Sequence, residues 1–184
     1  MDVDPSRAHR SVALVAYDER WPDRFAATRA QLAATFPAAE IEHIGSTSVS
    51  GLSAKDTIDV AVGVPDVTTA LSPAILAELA ALGFTHRPSS FADNPDHAFL
   101  DRIVADHRTD HVHVMTLDSA TYRDRLVFRD YLRASPEVVA RYEDRKRDLA
   151  EHYAEQRSEY VDRKSLVVDE LMRGARAWAD RSGW

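Results

Sequence analysis

The sequence predicts an α+β protein, with a small mixed β-sheet first and a helical C-terminal third that ends in a helical hairpin. Three observations lead there. Short runs rich in β-branched residues, separated by loops, fill the stretch between residues 41 and 117. From residue 119 onward apolar residues recur at helical spacing instead. Between the first two β-branched runs lies Gly45-Ser46-Thr47-Ser48, a turn rich in hydroxyls, around which the rest is organised. No repeat or low-complexity linker divides the 184 residues. One domain is therefore expected, with a sheet core over 12–118 and helices over 119–184.

The elements follow in order. Residues 1–10 are polar and expected to be loose, and 11–15 form a short apolar segment, a strand or a packing arm. A helix starts at 18–22, with Pro22 near its first position and Asp23 in its first turn. Trp21, Phe25, Leu32 and Phe36 line one face until Pro37 stops it. Residues 41–45 and 57–64 read as strands, with 47–55 as loop or a single helical turn. Residues 68–82 read as one amphipathic helix, with Leu71, Ile75, Leu79 and Leu82 on its stripe and Gly83 as its stop. A short strand at 84–87 and a loop at 88–95 precede strands at 98–105 and 111–117, joined through a turn at 106–110. Residues 122–133 are apolar nearly all round, which predicts a central helix. Ser135-Pro136 opens and caps the next helix, which carries Val138, Tyr142 and Leu149. The last helix carries Tyr160, Val167, Leu171 and Trp178, and a short link pairs these two as a hairpin against the sheet.

Composition removes several functions. A net charge of −7 argues against broad nucleic-acid binding, which needs a basic face. Without cysteine there is no disulfide, no thiolate zinc site and no cysteine nucleophile. The first dozen residues lack the apolar core of a signal peptide, and no apolar run approaches the roughly 20 residues of a membrane span. A soluble, cytoplasmic protein is the expectation.

Strand alternation selects the candidate site residues. In 57–64, Asp59 and Ala61 face one way while Ile58, Val60 and Val62 face the other. In 111–115, His111 and His113 share a face. If the two strands are neighbours, Asp59, His111 and His113 open into one cleft, able to bind a metal or to act as acid and base. Each has a structural alternative: an edge carboxylate, or the solvent face of a strand. Gly45 permits a tight turn whose amides, with Ser46 and Thr47, can hold phosphate. Lys55 is a phosphate contact or a solvated lysine. Arg129 is an anion clamp or the partner of a core carboxylate, and Glu42-His43 supplies a base or packs at its strand's end.

The run Glu42-His43-Ile44-Gly45-Ser46-Thr47-Ser48-Val49, with Gly51-Leu52, Ala54-Lys55 and Ile58-Asp59, resembles the GrpB family, also called UPF0157. The resemblance extends from Tyr17, Trp21-Pro22 and Phe25 to Arg108-Thr109, His111-Val112-His113-Val114 and Phe128-Arg129-Asp130-Tyr131-Leu132-Arg133. Pro136-Glu137, Tyr142, Lys146, Tyr160 and Lys164 continue it. It implies a nucleotidyltransferase-like mixed sheet, in a superfamily with relatives fused to dephospho-CoA kinase. Members hold a triphosphate on a Gly-Ser turn and two magnesium ions on three acids, and transfer a nucleoside monophosphate to an acceptor. Gly45-Ser46 match the turn and Asp59 matches the first acid. Ala61 stands at the second acid position, and His111 and His113 occupy the strand of the third, with Asp101 on the preceding strand as a possible substitute. Ser50 and Asp56 stand where relatives usually have proline. The resemblance thus implies a nucleotide or phosphorylated small molecule as partner and a divalent metal, magnesium or manganese with zinc as an alternative, on Asp59, His111 and His113. It leaves two functions open: nucleotidyl transfer with Asp59 and His113 as catalytic residues, or a non-catalytic binding module that has lost the metal acids.

Overall fold

The computed structural model describes residues 13–184. The expectations for residues 1–10 and for the first two residues of the 11–15 segment lie outside that range. Val15 exchanges backbone hydrogen bonds with Ala54, at 2.8 and 3.0 Å, so the arm is stapled to the loop between the first two strands.

Helix α1 (Trp21–Thr35) and strand β1 (Glu40–Ile44) are followed by a single 3₁₀ turn over Ser46–Ser48 and by strand β2 (Ile58–Val64). Two helices come next, α2 (Val67–Ala70) and α3 (Pro73–Ala81), where one was expected. Proline lacks the N–H that a continuous helix needs at position 73 and crowds the preceding turn. The chain restarts there instead: the Ser72 hydroxyl accepts from the Ile75 N–H, and Asp66 caps α2 through the Thr68 and Thr69 N–H groups.

Strand β3 (Phe84–His86) leads through the expected loop to the hairpin of β4 (His97–Val104) and β5 (His107–Thr116). That hairpin is tighter than the sequence suggests. Its turn is Ala105-Asp106 alone, both in the left-handed region at φ 46° and 67°. Two such residues give a turn whose twist matches the strands, so β5 begins four residues earlier than expected.

The sheet order is β1-β2-β5-β4-β3, with β2 and β5 parallel and the other neighbours antiparallel. One face is covered by α1 and α3. There Trp21, Leu32, Ile58, Val60, Val62, Leu79, Phe84, Leu100, Val112 and Val114 form the main core. Complete burial of those branched side chains is the principal driving force for this half of the fold.

The C-terminal helices are α4 (Ala120–Ala134), α5 (Pro136–His152) and α6 (Arg157–Ser182). Ser119 caps α4 by accepting from the Tyr122 N–H, whereas Ser135 makes no side-chain cap bond to α5. Helix α4 is amphipathic rather than apolar all round, burying Tyr122, Val127 and Leu132 and exposing Arg123 and Arg133. The hairpin of α5 and α6 rests on α4 and on Val49 and Leu52, not on the strands. The second face of the sheet is therefore covered by α4 at one end only, where Tyr122 and Leu126 pack on Ile44, Ala61 and Met115.

Candidate functional site

The rest of that second face, on which Phe91 of the loop before β4 packs, holds the candidate site. Parallel pairing of β2 with β5 sets Asp59 opposite His111 and Ala61 opposite His113, and opposite residues of paired strands share a face. Antiparallel pairing adds Phe99 opposite His113 and Asp101 opposite His111 from β4. The condition that the sequence left open, adjacency of the two strands, is met.

Asp59 is 27% exposed, and its Oδ1 lies 2.8 Å from His111 Nδ1. Burial alone would raise this carboxyl's pKa. The hydrogen bond from His111 and the charges of His111, His113 and Lys164 prevail and hold it at about 2. The Gly45 turn presses directly on it: with φ at 71°, a Cβ at Gly45 would lie 2.4 Å from Asp59 Oδ2. Only glycine fits there, for conformation and for space alike. The Ser48 hydroxyl donates to the Gly45 carbonyl at 2.7 Å and closes the turn.

His113 points along the sheet to His97, Nδ1 to Nε2, at 2.9 Å. Phe91 stacks on His97 with ring centroids 3.9 Å apart, and Phe99 tilts against both His111 and His113. Burial, with Arg125 nearby, lowers the pKa of His97 to about 4 and that of His113 well below the usual range.

Thr47, the Glu42-His43 pair and Arg129 are engaged elsewhere. The Thr47 hydroxyl is buried against His43 Nε2 at 3.0 Å, and His43 stacks on Phe25 at 4.6 Å, so Glu42-His43 packs at its strand's end. The Arg129 guanidinium is taken up by Glu42 at 2.6 Å, Asp130 at 2.7 Å and the His43 carbonyl at 3.2 Å. It is the partner of carboxylates and not an anion clamp. Lys55 sits 5.4 Å from the centre of the Tyr160 ring, on the α6 side of the hollow. Ser46 is half-buried at the turn, where its carbonyl accepts from the Val49 N–H.

Sequence reasoning missed the cations supplied by the helices. Arg125 of α4 lies within electrostatic reach of Asp59, His97 and His113. Lys164 of α6 interacts with Tyr142, Tyr160 and Asp59; Tyr142 raises its pKa against the effect of burial, and the other two add to the rise. Lys146 of α5 is 1% exposed and donates to the Ser53 carbonyl. Burial and the neighbouring Lys164 lower its pKa to about 7. A signal was present: Lys146 stands four residues after Tyr142, and Lys164 four after Tyr160, each on the inward stripe of its helix where an apolar residue is expected.

The donor set does not suit two divalent ions. Ala61 is fully buried beneath Tyr122. Asp101, the substitute acid, is fully buried between Arg87 and Arg108, each 2.9 Å away. Among the described residues no three His, Cys, Asp or Glu side chains are grouped to hold a metal ion. Asp59 with His111, and His113 with His97, form two hydrogen-bonded pairs along the sheet rather than a convergent shell, and magnesium needs several oxygens in near-octahedral array. What this face can do without a metal is hold an anion among Arg125, Lys164 and Lys146, or use the Asp59–His111 pair as an oriented base.

The architecture and this cleft define an α+β protein with a five-stranded mixed sheet, one face of which carries an acid–imidazole row rimmed by helix-borne cations. The chain belongs to the GrpB family, whose model, described as GrpB protein, matches residues 11–174. It is 36% identical over 170 residues to a UPF0157 protein of Halalkalibacterium halodurans, covering 91% of this chain and 84% of that one. A UPF0157 protein of Streptomyces coelicolor is also 36% identical, over 159 residues, with 85% and 80% covered. The crystal structure of the conserved protein GrpB from Enterococcus faecalis superposes with a TM-score of 0.80 at 26% identity, covering 90% of this chain and 99% of that one.

Proposed function

We propose that this GrpB protein binds a nucleotide or another phosphorylated small molecule in the hollow between the Gly45 turn, Asp59 and helices α4 to α6. The observation that carries this is that Arg125 and Lys164, from two different helices, both lie within electrostatic reach of the half-buried Asp59 carboxylate. Cations held in a partly desolvated hollow concentrate anionic ligands, and the half-buried Ser46 of the turn beside them carries a hydroxyl that can donate to a phosphate oxygen. Binding without two-metal chemistry is the reading that the buried Ala61 favours.

The test is a thermal-shift screen with ATP, coenzyme A and pyrophosphate, each with and without magnesium, manganese or zinc. A rise in melting temperature with at least one phosphorylated ligand is expected, because a ligand that binds only the folded form stabilises it. No rise with any of them would reject the proposal.

A second reading, nucleotidyl transfer to a small acceptor, is favoured by the 2.8 Å contact between Asp59 and His111. A carboxylate on Nδ1 orients an imidazole so that Nε2 can take a proton from an acceptor hydroxyl. Asp59→Asn would then abolish turnover while leaving the melting temperature nearly unchanged. A collapse of the fold in that variant would instead make Asp59 structural.

A further inference from the structure

The cluster under the 49–55 loop extends the proposed site beyond the sheet. Lys146 Nζ lies 4.9 Å from the centre of the Tyr142 ring and 3.7 Å from Glu143, and it donates to the Ser53 carbonyl. Lys55 Nζ stands 5.4 Å over the Tyr160 ring. Lys164 joins the two tyrosines to Asp59. Glu143 is engaged by Arg147 at 2.7 Å and by the Ser53 N–H at 3.0 Å.

Two buried hydroxyls in this cluster, Tyr160 Oη and Ser53 Oγ, have no hydrogen-bond partner among the described residues. A buried polar group without a partner costs free energy. Two of them beside lysine ammonium groups mark a place equipped with donors for an anionic oxygen. The same region lacks what a divalent ion requires, since Asp59 is the sole exposed acid of the row, Ala61 is apolar and Asp101 is sealed.

From these contacts we propose that Lys164, Lys146 and Lys55, with the Tyr142 and Tyr160 hydroxyls, take the place of metal ions as the counter-charge for a ligand's diphosphate group. The site binds its ligand without a divalent cation. This rests on the phosphorylated-ligand reading above and adds how the charge is neutralised. A lysine ammonium serves a phosphate as a compact point charge with three donors. Asp59 then lies beside the diphosphate as a repulsive neighbour, the opposite of its part in a metal site.

The sign of that last effect is the test. Inorganic pyrophosphate and ATP are titrated calorimetrically into the full chain, in EDTA and in excess magnesium. Binding is expected to be at least as tight in EDTA. Lys164→Gln, with its fold checked by circular dichroism, should weaken it roughly tenfold or more, the scale of one charge-assisted hydrogen bond. Asp59→Asn, which removes that repulsion, should tighten binding in EDTA. Binding only in magnesium, or lost in Asp59→Asn, would overturn the metal-free assignment and leave the ligand reading standing. No binding of either probe under both conditions would overturn the ligand reading itself.

Discussion

At the scale of single residues, Gly45 is the most constrained position of the site. A methyl group there meets Asp59 Oδ2 at 2.4 Å in a left-handed backbone, whereas Gly51, at φ 79°, has nothing within 4 Å of its would-be Cβ. Gly45→Ala should therefore cost about 3 kcal/mol, from conformation plus overpacking. Gly51→Ala should cost only about 1 kcal/mol, from conformation alone. Urea denaturation of the two variants measures the difference. His43 makes a second prediction. Burial is the main cause that lowers its pKa to about 4, with Arg133 and Arg129 assisting and Asp59 opposing. The unfolded chain binds this proton near pH 6.5 and the folded chain only near 4. Stability is thus fully present above about 6.5 and is lost as pH falls through that window. At about 1.4 kcal/mol per pH unit the loss reaches roughly 3 kcal/mol. Denaturation midpoints measured between pH 7 and 4 should fall, and His43→Asn, which keeps a polar partner for Thr47, should flatten the slope.

At the scale of elements, a buried carboxylate ties α1 to the β4–β5 hairpin. Asp110, 2% exposed, accepts from the Thr28 hydroxyl at 2.7 Å, Arg102 Nε at 2.8 Å and the Thr109 hydroxyl at 2.7 Å. Arg102 also donates to Thr28 at 2.9 Å. Removing the acid strands a half-buried guanidinium and two hydroxyls, so Asp110→Ala should destabilise by about 3 kcal/mol or more in urea. The sequence indicated both strands but not this clamp, because its members are 28, 102, 109 and 110 and meet only once the sheet exists. Element boundaries were legible where the chain carries its own punctuation, as at Pro22 and Gly83. Position 73 carries such a mark as well, yet the stripe from Leu71 to Leu82 masked it by running in phase across the break.

At the scale of the molecule, the two halves share their packing. Val49 and Leu52 of the loop between the first two strands are buried with Leu132, Val138, Tyr142 and Val167 of the three C-terminal helices. Burying those side chains jointly makes each half depend on the other. Unfolding should be a single transition, with coincident midpoints from far-ultraviolet circular dichroism and from tryptophan fluorescence. The fluorescence probes sit at both ends: Trp21 lies in the core beneath the sheet, and Trp178 packs on Tyr131 between α4 and α6. Two separated transitions would show that the helical third folds by itself. Among the described residues no helix is long and apolar enough to cross a membrane.

The sequence by itself determined the order of strands and helices, the face on which Asp59, His111 and His113 stand, and the Gly-Ser turn beside them. Those are local properties: a period of two, a glycine demanded by backbone geometry, and residues near one another along the chain. It also carried Ala61, whose methyl offers no metal ligand in any fold. Only the tertiary structure decided that β2 and β5 are neighbours and that Arg129 turns away to Glu42 and Asp130. The tertiary structure also brought Arg125 and Lys164 within electrostatic reach of Asp59 and buried Lys146 beside Lys164. Those outcomes depend on pairing and packing between segments roughly 50 to 100 residues apart, where one buried charge finds its partner only after long-range loops have closed.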